Sequence, residues 1–280
     1  MTGTGTQNDP YIVDNFSDFV DAVGQNSVYV QLGSDIDVAA DGYEYIGAIY
    51  IGAASVDGSG YAIRNATFQI STGNFFATSR ESVNISNFSI LDCAFKTSGN
   101  ANVFGGNFAI SNMKISAQVH SETTFRLFSR TSLEYVAADI SLFGSQSFLI
   151  CEHGDVENST FFVRGLNTNS YLFLGAASGG QINVQNVGVV IDSGIINGGT
   201  FYLGEYVYFT SCYFAFNDGI KVLGGPASVN VNRYGGSASN LVFAVGTLSQ
   251  GSISTPSAYP RLTTAQMKSE SYLQSIGWLP

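Results

Sequence analysis

Basic residues and cysteines are scarce in this sequence of 280 residues. It has 11 Lys and Arg against 21 Asp and Glu, which gives a net charge of −10, and no cluster of basic residues. Such a charge repels nucleic acid and anionic membranes, so neither is an expected partner. Cys93, Cys151 and Cys212 lie far apart and suggest neither a disulfide framework nor a zinc site, so we expect three small buried side chains.

Long apolar runs are absent as well. No uninterrupted apolar stretch is long enough to cross a bilayer, and the opening MTGTGTQNDPYIV has neither the basic nor the apolar region of a signal peptide. We therefore expect no membrane insertion and no export by an ordinary signal peptide.

Glycine, aromatic and β-branched residues are abundant instead. The chain has 32 Gly, 21 Phe and 15 Tyr, and only 11% of its residues are charged. This balance is typical of strand-rich proteins with many turns and argues against a mostly helical fold.

A short motif recurs along the chain: an apolar residue, one spacer, Asn, and then apolar residues at alternate positions. Its first copy is Ile63-Arg-Asn65-Ala-Thr-Phe68, and a later copy has Ser in place of Asn. One copy, between residues 136 and 140, is degraded. The turn positions are spaced by 20 to 29 residues, with a mean of 25, and they are Asn65, Asn87, Asn112, Ala138, Asn158, Asn186, Ser211 and Asn240.

A period near 25 built from short alternating strands fits one coil of a parallel β-solenoid. Asn tolerates the left-handed backbone conformation, so it can turn the chain sharply between two strands. In successive coils, about 4.8 Å apart, the Asn side chains would hydrogen-bond as a structural ladder. An antiparallel sandwich is the alternative fold, but it does not explain one motif at this period.

Apolar pairs followed by small residues form a second marker, at 103–106, 127–129, 172–175, 202–204 and 222–225. Each coil therefore has at least two strands and two corners. The fold prediction is an all-β, right-handed parallel β-helix (β-solenoid) of about eight coils, right-handed because parallel crossovers almost always are.

The two ends predict caps for the terminal coils, whose open edges would otherwise recruit other chains. Residues 17–23 fit a short helix that Gly24 stops, and Thr263 to Gln266 resembles a capping box ahead of a second short helix at 267–274. The chain is thus predicted to be one domain, with an N-terminal cap at 1–40, β-helix coils at 41–245, and a connector and C-terminal cap at 246–280.

The chain resembles β-helix proteins with GLUG-type repeats. The resemblance lies in four segments: the opening GTGTQNDPYIV, the segments VDGSGYAIRNATF and NVFGGNFAISNMKIS, and the ending LTTAQMKSESYLQSIGW. Members of that group are bacterial surface proteins or phage virion proteins, so the resemblance implies attachment or structural work. Because a signal peptide is missing, we expect a virion protein assembled in the host cytoplasm: a tail fibre, tail appendage or receptor-binding protein. Other virion proteins, a host surface glycan and two further copies in a homotrimer are the expected partners. A bacterial cell-surface adhesin module is one alternative.

The other alternative is an enzyme, a tailspike-like polysaccharide depolymerase. Such enzymes need two carboxylates about 5 to 9 Å apart, and the candidate residues are Glu134, Asp139, Asp155, Glu157 and Asp192. His153, close to Cys151, completes no recognised nucleophile or metal motif. We therefore predict no catalytic, cofactor-binding or metal site. Exposed tyrosines could form a glycan-binding face, with Tyr202, Tyr206, Tyr208 and Tyr213 as candidates.

Overall fold

The structure is a computed structural model that describes residues 1–144, 147–168, 172–175, 181–248, 250–263 and 266. Within these residues the chain forms strands and one α-helix, and every pairing between strands is parallel. The fold is a parallel β-solenoid of about eight turns. Its handedness stays a prediction from the rule for parallel crossovers.

Short strands build the early coils, from β1 to β9: Tyr11–Val13, Tyr29–Leu32, Ile36–Asp37, Ile49–Tyr50, Ser55–Asp57, Ala62–Arg64, Thr67–Ile70, Gly73–Ala77 and Val83–Ser86. The middle strands, β10 to β18, are Ser89–Thr97, Ala101–Ser121, Phe125–Phe143, Phe148–Glu152, Val156–Glu157, Thr160–Arg164, Leu166–Thr168, Phe173–Leu174 and Ile182–Gln185. The last strands, β19 to β25, are Gly188–Glu205, Val207–Thr210, Tyr213–Asn232, Gly236–Ser239, Val242–Val245, Ile253–Ser254 and Arg261–Leu262.

The coils stack in register, so apolar residues at equivalent positions form continuous rows. One row runs through nine successive strands and holds Val30, Val56, Ile85, Ile110, Leu133, Val156, Val184, Phe209 and Ala238. All except the half-buried Ala238 are buried. Because side chains alternate along a strand, the neighbours of these residues point outward. The half-buried Tyr11 pairs with Val30 and extends the row by one further strand.

Stacked phenylalanines fill another part of the interior. The ring of Phe104 stacks between those of Phe76 and Phe128, with centroids 4.9 and 5.8 Å apart. Phe68 stacks on Phe95 at 5.1 Å. All five side chains are buried, so aromatic contacts join these three neighbouring coils.

The one helix of the described residues, α1, spans Phe16–Val23. The Oδ1 atom of Asn15 accepts a hydrogen bond from the backbone N–H of Asp18 at 2.9 Å, which caps the helix, and Gly24 ends it. Phe19 stacks on Phe88 at 6.2 Å, so α1 packs on a coil. That α1 protects the terminal coil stays a prediction.

At the other end, Thr263 and Gln266 exchange the two hydrogen bonds of a capping box, at 2.8 and 3.3 Å. The second helix predicted after them, at 267–274, lies outside the described residues.

Candidate functional site

A column of left-handed residues runs along one corner of the solenoid, where the chain passes from one strand to the next. In it lie Asn87, Asn112, Asn158, Asn186, Ser211 and Asn240, with φ between +49° and +53°. The Nδ2 atom of Asn112 donates to Oδ1 of Asn87 at 2.8 Å, and Nδ2 of Asn186 donates to Oδ1 of Asn158 at 3.0 Å. Asn240 likewise donates to Oγ of Ser211 at 3.1 Å. These amides and the hydroxyl bind neighbouring coils to one another.

The structure places two of the predicted turn positions, Ala138 and Asn65, outside this column. The degraded copy turns at Tyr135, with φ +55°, and not at Ala138, because Glu134 pairs with both Ser111 and Glu157 in the neighbouring coils. Ala138 lies on the strand after the corner, where it is buried. The motif was misaligned because Tyr does not carry the turn signal of Asn.

Asn65 turns the chain as predicted, with φ +56°, but at a different corner. Its strand pairs with Ser89–Leu91, so Asn65 aligns with Asp92, which has φ +54°, rather than with Asn87. Nδ2 of Asn65 donates to Oδ2 of Asp37 at 2.8 Å. Asn65 is therefore outside the main ladder.

A third corner was not identified from the sequence. Arg130, His153 and Tyr206 adopt φ of +56° to +60° there, immediately after the paired strand residues Ser129, Glu152 and Glu205. Arg and Tyr do not favour the left-handed region, and although His is enriched there, no repeated motif links the three residues. The second marker does precede this corner in four coils, but Val222-Leu223 pairs with residues 196 and 197 and lies elsewhere.

The position of His153 at this corner explains its surroundings. Its Nε2 atom lies 4.0 Å from a carboxylate oxygen of Glu152, and the other oxygen of Glu152 lies 2.9 Å from Nε of Arg126. Glu152 is thus held by Arg126, and Cys151 is fully buried on the opposite side of the strand. The residues around His153 form an ion pair on the surface rather than a nucleophile with its base.

Three of the five candidate carboxylates form ion pairs or hydrogen bonds with neighbouring side chains or backbone. Arg164 forms an ion pair with Asp139 and lies 4.0 Å from Asp192, and its guanidinium lies 4.3 Å from the ring centre of Phe162. Asp192 also accepts from Asn217 at 2.9 Å. Asp155 accepts from the backbone N–H and the side-chain amide of Asn183, at 2.7 and 3.3 Å.

The other two carboxylates, Glu134 and Glu157, lie directly opposite each other on neighbouring strands. They line one shallow surface groove together with Asp155. Neighbouring strands are about 4.8 Å apart at the backbone, so the two side chains lie side by side on the outer surface. Asp139 and Asp192 are also brought close to each other, but both of them lie next to the guanidinium of Arg164.

The four tyrosine candidates do not share a face. Tyr206 stacks on Tyr234 at the third corner, with centroids 5.8 Å apart, and Tyr208 is 37% exposed on the strand that follows. Tyr202 is half-buried. Tyr213 lies beyond the Asn corner, and its ring covers Gly188 so closely that a Cβ added there would lie 2.2 Å from it.

A groove of about 940 Å³ was not foreseen in the sequence. It lies on the outer surface after the Asn corner and contains Gln69, Lys96, His120 and Phe143 at equivalent positions of four coils. These residues belong to no common motif, since only the pairing of the coils brings them together.

The three cysteines are free and buried, as expected from the sequence. Burial raises the pKa of the Cys93 thiol to about 11 and that of Cys212 to about 12. It also raises the pKa of Cys151. Within the described residues no group of three or more His, Cys, Asp or Glu could hold a metal ion, and no helix is long and apolar enough to span a membrane.

No family model, no curated protein and no solved structure matches this chain. The resemblance to GLUG-type proteins and the functions that it implies therefore stay predictions. The solenoid and its outer surface are therefore the basis for a proposal of function.

Proposed function

We propose that this protein is a non-enzymatic structural and attachment protein of a phage virion, of the tail appendage, fibre or receptor-binding type. The observation that supports this most directly is the number of aromatic side chains on its outside. They are 37 to 58% exposed and follow the coils along the chain: Tyr43, Tyr45, Tyr50, Tyr61, Tyr135, Phe143, Tyr208 and Tyr234. Tyrosine is enriched at binding surfaces because it is rigid and amphipathic.

The backbone supports the same proposal. The coils are joined to their neighbours by parallel strand pairs, and several of them also by side-chain hydrogen bonds at the Asn corner or by buried rings. Such a stack holds surface groups at fixed distances, which suits attachment to a repeating glycan. The partners of Asp139, Asp155 and Asp192 favour a structural role for these carboxylates.

Two measurements test this proposal. Mass spectrometry of purified particles made by the encoding genome should find the protein, and the folded protein added in excess should reduce adsorption of those particles to their host. Heat-denatured protein is the matched control for the second measurement. Absence from the particles would refute the virion role, and unchanged adsorption would refute the attachment role. Light scattering tests the proposed homotrimer, which requires three times the mass of one chain.

A depolymerase is the second candidate, and the facing pair of Glu134 and Glu157 favours it. Incubation of the wild-type protein with host surface glycan, followed by assay of new reducing ends, tests for activity. Glu134→Gln and Glu157→Gln should abolish any activity that depends on the pair, while Asp139→Asn serves as a control outside it. Release of reducing ends that both Gln variants lose would replace the non-enzymatic proposal with this one.

The third candidate, a bacterial surface adhesin, rests on the GLUG-type resemblance alone. Antibody labelling of intact bacteria and of particles separates it from the virion proposal. Label on the bacterial surface in the absence of particles would favour the adhesin.

A further inference from the structure

The groove on the outer surface combines groups that sugar-binding sites use. Four of its residues, Gln69, Lys96, His120 and Phe143, come from four successive coils in direct register. Neighbouring coils are about 4.8 Å apart, so the row presents an amide, an ammonium, an imidazole and an aromatic ring in sequence. Gln118 lies in the same groove and adds a second amide.

The aromatic part of the groove is flat. The ring of His120 is stacked on that of Phe143, with centroids 4.8 Å apart and planes inclined by 11°. Phe143 is nonetheless 47% exposed, so part of its apolar ring faces solvent. An exposed ring of this kind can pack against the apolar C–H face of a pyranose.

The charge of the groove differs from that of the whole chain. The Lys96 ammonium lies 5.6 Å from the ring centre of Tyr45, a cation–π contact that holds it at the surface. Glu122 is the acidic residue among the described residues that line the groove, and Lys96 is the basic one. In a protein with a net charge of −10, this groove is therefore one place where an anionic group meets a fixed cation.

We infer that this groove binds a carboxylated sugar of a surface glycan. The carboxylate pairs with the ammonium of Lys96, the sugar ring packs on Phe143, and its hydroxyls bond to Gln69 and Gln118. Charge-assisted hydrogen bonds supply the selectivity for an acidic sugar over a neutral one. This inference rests on the proposed attachment function and names the class of its ligand.

The test uses the full chain and a short glucuronate oligomer, with the same oligomer reduced from carboxylate to hydroxymethyl as the control ligand. A sialate oligomer in a parallel arm separates the two common classes of acidic sugar. The chain has only two histidines, so histidine NMR signals report the site directly. Binding of an acidic oligomer should shift the His120 signal and raise its pKa, whereas His153, at the third corner, should not respond.

Substitutions of Lys96 and Glu122 should change the affinity for the acidic oligomer in opposite directions. Lys96→Gln should weaken binding of the acidic oligomer about tenfold, because the charge-assisted bond is lost. Glu122→Gln should strengthen binding about twofold, because a like charge at the groove is removed. Lys221→Gln, at an exposed lysine on another strand, is the matched control and should bind like the wild type. Phe143→Ala should weaken binding of acidic and reduced oligomers alike.

The proposal is overturned if neither acidic oligomer binds, if the reduced oligomer binds as tightly as its acidic parent, or if Lys96→Gln binds like Lys221→Gln. These outcomes are distinct from failure of the proposed function. A protein that is present in particles and blocks adsorption, yet does not respond to acidic oligomers, retains its attachment role and loses only this ligand.

Discussion

The side chains of Asn87 and Asn112, 25 residues apart in the chain, are joined by a hydrogen bond of 2.8 Å between Nδ2 of the later residue and Oδ1 of the earlier one. Both residues are left-handed, with φ +51°. Each therefore performs two tasks, since it turns the chain between two strands and binds the neighbouring coil. Substitutions can separate these tasks.

Asn112→Ala should lower the free energy of unfolding by about 1 to 2 kcal/mol, because alanine is strained in the left-handed region and makes no side-chain hydrogen bond. Asn112→Gly relieves the strain and should recover part of the loss. Urea unfolding measures both variants. Asn84→Ala, at an exposed strand position, is the control and should change stability by less than about 0.5 kcal/mol. Equal losses for Asn112→Ala and Asn84→Ala would contradict the role of the corner.

Tyr135→Asn should stabilise the protein by about 1 kcal/mol, since Tyr135 has φ +55° and lies in the column between Asn112 and Asn158. An asparagine there is better suited to the backbone and can extend the ladder in both directions. The melting temperature should rise. Tyr208→Asn, on a strand, should give no rise, because it replaces a residue that favours strands. A lower melting temperature for Tyr135→Asn would mean that the Tyr ring contributes more than the turn costs.

The His120 imidazole should titrate below 6.5, because burial lowers its pKa and the charge of Lys96 lowers it further. Lys96→Gln should raise this pKa but leave it below 6.5, since burial is the larger cause. NMR titration measures both values. A pKa at or above 6.5 in the wild type would contradict the burial of the ring against Phe143.

The same shift has a consequence for stability. The unfolded chain binds the proton of His120 more readily than the folded chain does, so this residue favours folding above pH 6.5. That contribution should be lost as the pH falls from about 6.5 through the lowered pKa. The difference in melting temperature between wild type and His120→Gln, measured across this range, should therefore move against the wild type in acid. A difference that stays constant with pH would contradict this linkage.

The three thiols should be unreactive in the folded protein at pH 8, because each is buried and its pKa is raised. Reaction with a chromogenic disulfide reagent should begin only when guanidinium unfolds the chain, and it should then reach three thiols per chain. Ser132→Cys, at an exposed position, provides a thiol that reacts in the folded state. Rapid reaction of wild-type protein would show that a cysteine is accessible.

Local chemistry explains which features were predictable. Asn112 and Asn158 mark their corner because asparagine favours the conformation that the corner needs, and the alternation around them predicts the buried rows. Tyr135 adopts the same conformation because the coils on both sides impose it, and tyrosine carries no local signal of a turn. Histidine is enriched in the left-handed region, but no repeated motif accompanies His153.

The outer groove could not be predicted from the sequence, for a different reason. Lys96 and His120 are 24 positions apart and belong to no repeated pattern; they meet only because β10 pairs with β11 in one register. Coil lengths vary from 23 to 29 residues along the Asn corner, so that register cannot be counted from the sequence.

The parallel register also determines how such a chain can change over evolution. Each coil offers its neighbours the same pattern of inward and outward side chains, so a duplicated coil finds a matching surface above and below. Gain of one whole coil would lengthen the axis by about 4.8 Å and leave the older contacts in place. Gain of a single residue within a strand would instead exchange buried and exposed side chains over the rest of that strand. Duplication of a whole coil is therefore the change in length that this fold accommodates most easily.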